Sequence, residues 1–200
     1  NILEGIMGFA KMIQKDAEPD SSQYRRIGLV LKGAQRGRDF VRQILTFSRQ
    51  KPEEQKPIAL REAIEEGLAL LRPALPAMVE IRVKNAADED TIFADSVQFH
   101  QVLMNLCTNT AQAMHPQGGL LEITIANAVF TEQDVFPCPG MKTGEYVVME
   151  VCDNGHGMEP EIMARIFDPF FTTKGKHSGT GLGLAVVHGI VKSHNGHITV

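Results

Sequence analysis

The chain has 200 residues, of which 43% are hydrophobic and 22% charged, with a formal net charge of −4. That length allows one good core, or one domain with an appendage, and the mixed charge gives no basic stripe of the kind that nucleic acid requires. No apolar run reaches the length of a membrane span and no signal peptide opens the chain. The three cysteines, Cys107, Cys138 and Cys152, lack C-x-x-C spacing, so a reducing, cytoplasmic context is expected, either free or as the cytoplasmic part of a membrane-anchored protein.

Residues 1–17 carry Ile2, Ile6, Phe9 or Ala10, and Ile13 at helical spacing. Pro19-Asp20-Ser21-Ser22 reads as a turn with a serine ready to cap the next helix. That helix runs to about Gln50, with Tyr24, Ile27, Leu31, Ala34, Val41, Ile44, Leu45 and Phe47 as its apolar positions. Two helices joined by a short turn predict an antiparallel hairpin. The hairpin holds five glycines, Gly5, Gly8, Gly28, Gly33 and Gly37, each costing about 1 kcal/mol against alanine. Two such helices bury little by themselves, so pairing with a second copy as a four-helix bundle is expected in preference to packing on the hairpin's own globular domain.

Lys51–Pro57 is a polar, proline-bounded linker and a domain boundary. Beyond it, Pro57–Leu60 is extended, Arg61–Leu71 is a helix stopped by Pro73, and Val79–Val83 alternates as a half-buried strand. Thr91–Ala94 is a further strand, and Asp95 caps a long helix to about Met114, ended by Pro116-Gln117-Gly118-Gly119. Leu120–Phe130 and Glu145–Val151 read as strands joined by a loop at 131–144, Leu184–Val191 as a helix, and His197–Val200 as a strand. This order predicts an α+β sandwich with helices on one face of a mixed sheet. The chain opens in mid-helix at Asn1-Ile2-Leu3 and ends inside an apparent strand, the pattern expected of a fragment of a larger protein.

Two glycine-rich turns carry the chemistry. Asp153-Asn154-Gly155-His156-Gly157-Met158 follows the apolar run Tyr146–Val151, and Gly179-Thr180-Gly181-Leu182-Gly183-Leu184 opens the last helix. A glycine turn at a helix start exposes unpaired N–H groups at the positive end of the dipole, a setting that suits phosphate. The spacing fits neither the Walker A loop, since no Gly-Lys-Ser/Thr ends it, nor the dinucleotide fingerprint. In the preceding long helix, Asn105 and Asn109 lie one turn apart on one face, interrupting Val102, Leu103, Leu106, Ala111 and Ala113. Such a pair of amides either holds a hydrated hard cation together with phosphate oxygens, as Mg²⁺ prefers, or staples neighbouring loops.

Taken together, these segments resemble sensor histidine kinases of two-component systems. Asn105-Leu106-Cys107-Thr108-Asn109-Thr110-Ala111 is similar to their N box, Asp153–Met158 to the G1 box, Ile166-Phe167-Asp168-Pro169-Phe170-Phe171-Thr172-Thr173-Lys174 to the F box, and Gly179–Leu184 to the G2 box. All four occur in the family's order over about residues 58–200, and the hairpin extends the match to residue 1. The resemblance implies the Bergerat (GHKL) ATP-binding sandwich shared with type II topoisomerases and with chaperone and mismatch-repair ATPases. It implies that Asp153 accepts from the adenine amino group, that Gly155, Gly157 and Met158 flank the base, and that Asn109 ligates Mg²⁺. Phe170, Thr173 and Lys174 then belong to a lid over residues 168–180, with Thr173 and Lys174 reaching the phosphates. Gly179, Thr180, Gly181, Leu182, Gly183 and Leu184 wrap the triphosphate.

Asn105 falls where related ATPases place a glutamate that activates water. An amide takes up no proton at neutral pH, so transfer to another nucleophile is expected in place of hydrolysis; with Lys174, Asn105 is the catalytic candidate. Gln112 stands where many members carry Lys or Arg, as it does in the branch resembling nitrogen-regulation kinases. The family pattern places a further strand pair after Val200. The family's phosphoacceptor phrase ends in Asn-Ile-Leu, so the acceptor histidine is expected four residues before Asn1, and Asn1 occupies the phosphatase position. None of the seven histidines of the chain sits at such a site. The expected partners are a second copy of the chain, through the hairpin, and the receiver domain of a response regulator, with no nucleic acid. The alternatives are a non-catalytic nucleotide-gated dimerisation module and an ATPase of the topoisomerase or chaperone kind.

Overall fold

The computed structural model describes residues 2–19, 21–31, 33–35, 55–135, 140–173 and 180–200. Its contacts divide the chain into two units, Asn1–Gln50 and Lys51–Val200.

In the first unit, α1 spans Ile2–Asp16. The Ser21 hydroxyl accepts the Tyr24 N–H at 3.0 Å and so caps α2, helical at 22–31 and 33–35. Of the apolar stripe of α1, Ala10 is buried while Ile6, Phe9 and Ile13 are exposed, as are Leu29 and Val30 of α2. The expected continuation of α2 to Gln50 lies outside the described residues, as does most of the linker.

In the second unit, β1 (Lys56–Ala59) pairs antiparallel with β3 (Thr91–Ala94) as a two-stranded ribbon. The unit also holds a separate three-stranded mixed sheet. Here β2 (Val79–Asn85) runs parallel to β4 (Gly119–Phe130), and β4 pairs antiparallel with β5 (Gly144–Asp153). The alternation of β4 sorts the faces. Leu121, Ile123 and Ile125 are fully buried against Leu60, Ala63 and Ile64 of α3 (Leu60–Leu71) and Phe99, Leu103, Cys107 and Ala111 of α4 (Ser96–Ala113). On the opposite face, Glu122 meets Lys84 at 2.7 Å. Among the described residues α3 and α4 thus pack on one face of the sheet, as the element order predicts. Within this sheet β2 is an outer strand, and Arg72 Nη1 donates to the Val79 carbonyl at 2.7 Å.

Asp95 is the N-cap of α4, its Oδ1 accepting from the N–H groups of Val97 at 2.8 Å and Gln98 at 3.2 Å. Its own N–H donates to His194 Nε2 at 3.1 Å, while His194 Nδ1–H donates to Ile190 O at 2.8 Å. That histidine ends α7 (Gly183–Ser193), which packs along α4. Short helices not expected from the sequence are α5 (Glu132–Val135), inside the predicted 131–144 loop, and α6 (Pro160–Met163), with a 3₁₀ turn at Arg72–Ala74. His197–Val200 is a correction: these residues form no strand. Alternation alone supplies no ladder, because a strand exists only against a partner that takes its hydrogen bonds.

Candidate functional site

The site is built on α4. Asn105 is 4% exposed, and its amide nitrogen has no hydrogen-bond partner among the described residues. A buried donor left unpaired costs about 1–3 kcal/mol, so an acceptor bound here is strongly favoured. The start of α7 lies directly opposite. A Cβ on Gly183 would stand 3.6 Å from Asn105 Oδ1 and 3.6 Å from Asn109 Nδ2. The two amides spaced one turn apart therefore meet the glycine turn that precedes α7. Leu182, the N-cap of α7, is buried and supplies no side-chain acceptor, which leaves first-turn N–H groups for a ligand. Leu184 is half-buried on the first turn of the same helix. Between the two asparagines Cys107 points the other way, into the core, where burial pushes its thiol up to about 11. It is a packing residue, not a nucleophile.

The other glycine turn docks at the far end of α4, about 12 Å along the helix from Asn105. Asp153 closes β5 opposite Leu121 and so shares the helix-side face with Val151 and Met149. Its Oδ1 accepts the Gly155 N–H at 2.9 Å. A Cβ on Gly155 would fall 2.8 Å from the Ala113 carbonyl carbon and oxygen, so only glycine lets the turn approach this closely. The His156 N–H donates to Ala113 O at 3.3 Å. Gly157 takes φ 68° with open space where a side chain would project, and Met158 beside it is partly exposed. Asn154, not singled out by the sequence reading, accepts the Leu120 N–H at 2.8 Å through Oδ1. Its partner lies 34 residues away, so no local signal could have found it.

The phenylalanine-rich segment is tied to the second glycine turn. The Phe170 N–H donates to Gly181 O at 2.9 Å, with Phe170 at φ 68° and Gly181 at φ 66°. Arg165 lies over the Phe171 ring at 4.4 Å, and Phe167 stacks on His188 of α7 at 5.1 Å. Phe170, Thr173 and Thr180 are exposed, and Thr180 Oγ1 accepts the Leu182 N–H at 3.4 Å. Gln112 is exposed on the last turn of α4. The structure thus brings together Asn105, Asn109 and Gly183, joins Asp153 and Gly155 to the end of α4, and joins Phe170 to Gly181. Lys174, Gly179 and Asn1 lie outside the described residues. Among the described residues no group of three or more His, Cys, Asp or Glu side chains converges on a metal position. A cation beside Asn109 would thus take an amide oxygen plus phosphate and water, a donor set that fits Mg²⁺.

An α+β sandwich with polar amides on α4, and with one glycine turn beside those amides and another at the end of the same helix, defines a nucleotide-binding class. The chain belongs to the histidine kinase-, DNA gyrase B-, and HSP90-like ATPase family, whose match spans residues 94–200. It is similar to the sensor kinase CckA of Brucella abortus (strain 2308), 31% identical over 198 residues, covering 99% of this chain and 21% of that protein. It is also similar to the sensory histidine kinase/phosphatase NtrB of Rhizobium meliloti (strain 1021), 28% identical over 199 residues, covering 98% of this chain and 50% of that protein. The nucleotide-free catalytic domain of the histidine kinase ThkA superposes with a TM-score of 0.55 at 26% identity, over 71% of this chain and 82% of that one. ThkA in complex with the response regulator protein TrrA shares the fold with a TM-score of 0.65 at 23% identity, over 98% of this chain and 52% of that one. These relatives bear out the resemblance to sensor histidine kinases. The chain spans about a fifth of CckA and half of NtrB.

Proposed function

We propose that the chain is the catalytic part of a sensor histidine kinase, which binds Mg·ATP and passes the γ-phosphate to a histidine of the helical hairpin for relay to a response-regulator aspartate. The observation that carries this reading is the buried, unpartnered amide nitrogen of Asn105, set beside Asn109 and the start of α7. Bound Mg·ATP supplies the transferable phosphoryl group and neutralises its charge. Asn109 would hold the cation through its amide oxygen, and the first turn of α7 would orient the phosphates. Asp153 would fix the adenine by accepting from its amino group, with Lys174 and Thr173 closing on the phosphates from the lid. Asn105 activates no water, which favours transfer over hydrolysis. The exposed apolar positions of α1 and α2 support a homodimer through the hairpin. The ThkA complex supports a response regulator as the partner. The sites, the domain boundaries at residues 50 and 58, and the acceptor upstream of Asn1 all belong to this proposal.

Labelling tests it. Given γ-labelled ATP, the chain extended upstream of Asn1 and past Val200 by its native residues should acquire acid-labile, base-stable phosphate, and Asn109→Ala should lose most of that label. Residues 1–200 should bind ATP without becoming labelled. Steady phosphate release without label would point to a topoisomerase-like or chaperone-like ATPase. Binding with neither label nor release would point to a nucleotide-gated dimerisation module.

A further inference from the structure

The β4–β5 ladder stops one pair short of where its register leads. Its last pair is Leu121 with Asp153, so the next would be Leu120 with Asn154. The backbone of β5 has by then turned away towards Gly155, and the side chain of Asn154 takes over. Its Oδ1 accepts the Leu120 N–H at 2.8 Å. A backbone N–H needs an acceptor, so the amide oxygen faces Leu120. The space for that amide comes from Gly119, where a Cβ would overlap Asn154 Oδ1 and press on the Met114 sulfur at the end of α4. We propose that Asn154 is a positioning residue for the Asp153 carboxylate: seated in the gap at Gly119, its amide closes the ladder and fixes the direction in which β5 leaves the sheet. The strand exit is pinned on the β4 side and the His156 N–H is held by Ala113 O on the α4 side, so the chain is fixed on both sides of Asp153. One of its oxygens is engaged by the Gly155 N–H, which leaves Oδ2 for a donor on a ligand.

This rests on the reading of Asp153 as the acceptor for the adenine amino group. The test therefore compares Mg·ATP with Mg·purine riboside triphosphate, whose base is adenine without that amino group, by titration calorimetry on residues 1–200. Wild type should prefer ATP. In Asn154→Ala and, independently, in Gly119→Ala, ATP affinity should fall about tenfold, the loss expected for one charge-assisted hydrogen bond, while affinity for the analogue stays within about twofold. Preference for ATP then collapses in both. Should one variant fail to fold, the other carries the comparison. Equal losses for the two nucleotides, or an undiminished preference for ATP, would show that Asn154 does not position Asp153 and would leave the nucleotide-binding reading standing. A wild type that binds both nucleotides equally would overturn the role of Asp153 itself, and this proposal with it.

Discussion

Cys107 sits back to back with the site, on the core side of the helix turn that carries Asn105 and Asn109. Burial holds its proton up to about pH 11, against 9.0 for an exposed thiol. Above the lower value the unfolded chain releases a proton that the folded chain keeps. The thiol's contribution to stability is therefore whole below about pH 9 and lost as pH rises towards 11. In that window denaturant titrations should show stability falling by roughly 1.4 kcal/mol per pH unit more in wild type than in Cys107→Ala. An identical slope in the two proteins would contradict it. At this scale the sequence was legible wherever chemistry and spacing are local. The asparagine pair announces itself by one helical turn, and Asp95 by the cap it makes with residues two and three positions on. Asn154 and His194 were not legible, because each acts on a backbone group far along the chain, at Leu120 and Asp95.

Helices α3 and α4 meet at Gly67. A Cβ there would fall 2.5 Å from Leu103 Cδ2 and 3.1 Å from His100 Cδ2, and Leu103 is fully buried. Gly67→Ala sets two effects against each other. The helix gains about 1 kcal/mol of propensity, while forcing a methyl into a packed core costs about 1–3 kcal/mol. Leu103 must shift within the core to admit the methyl, and the His100 Nε2 contact with Ala63 O at 3.2 Å is disturbed as well. The net is expected to be a loss of about 1 kcal/mol, read as a lower thermal midpoint; a raised midpoint would show that α3 slides freely on α4. Elements with a long amphipathic period or a cap were readable in order. The four-residue helices α5 and α6 were not, since one turn is too short to show a period. Nor was the fate of His197–Val200, since pairing depends on what lies beside a segment and not on its alternation.

For the whole molecule, the decisive surface is on the first fifty residues. Phe9 is 71% exposed and Leu29 68%, with Ile6, Ile13 and Val30 also open. Exposed apolar residues repeated at helical spacing are costly in water unless a partner covers them. Residues 1–200 should therefore sediment at least partly as a dimer at high micromolar concentration. Residues 58–200 should sediment as a monomer, and Phe9→Glu should shift the longer chain to monomer. A monomeric wild type at the same concentration would remove the bundle from the proposal. Among the described residues no helix is long and apolar enough to cross a membrane.

The outer rim of β2 bears on how the sheet avoids unwanted pairing. A strand with one unpaired side is a template on which any extended segment can zip, including one from a neighbouring molecule. Here that rim carries Glu80, Arg82 and Lys84 at every second position, and Arg72 already occupies the carbonyl of Val79 at its start. Charge on alternate residues and a guanidinium over the first acceptor make the rim a poor seam. A margin guarded in this way offers the extended segment of a neighbouring molecule little to pair with.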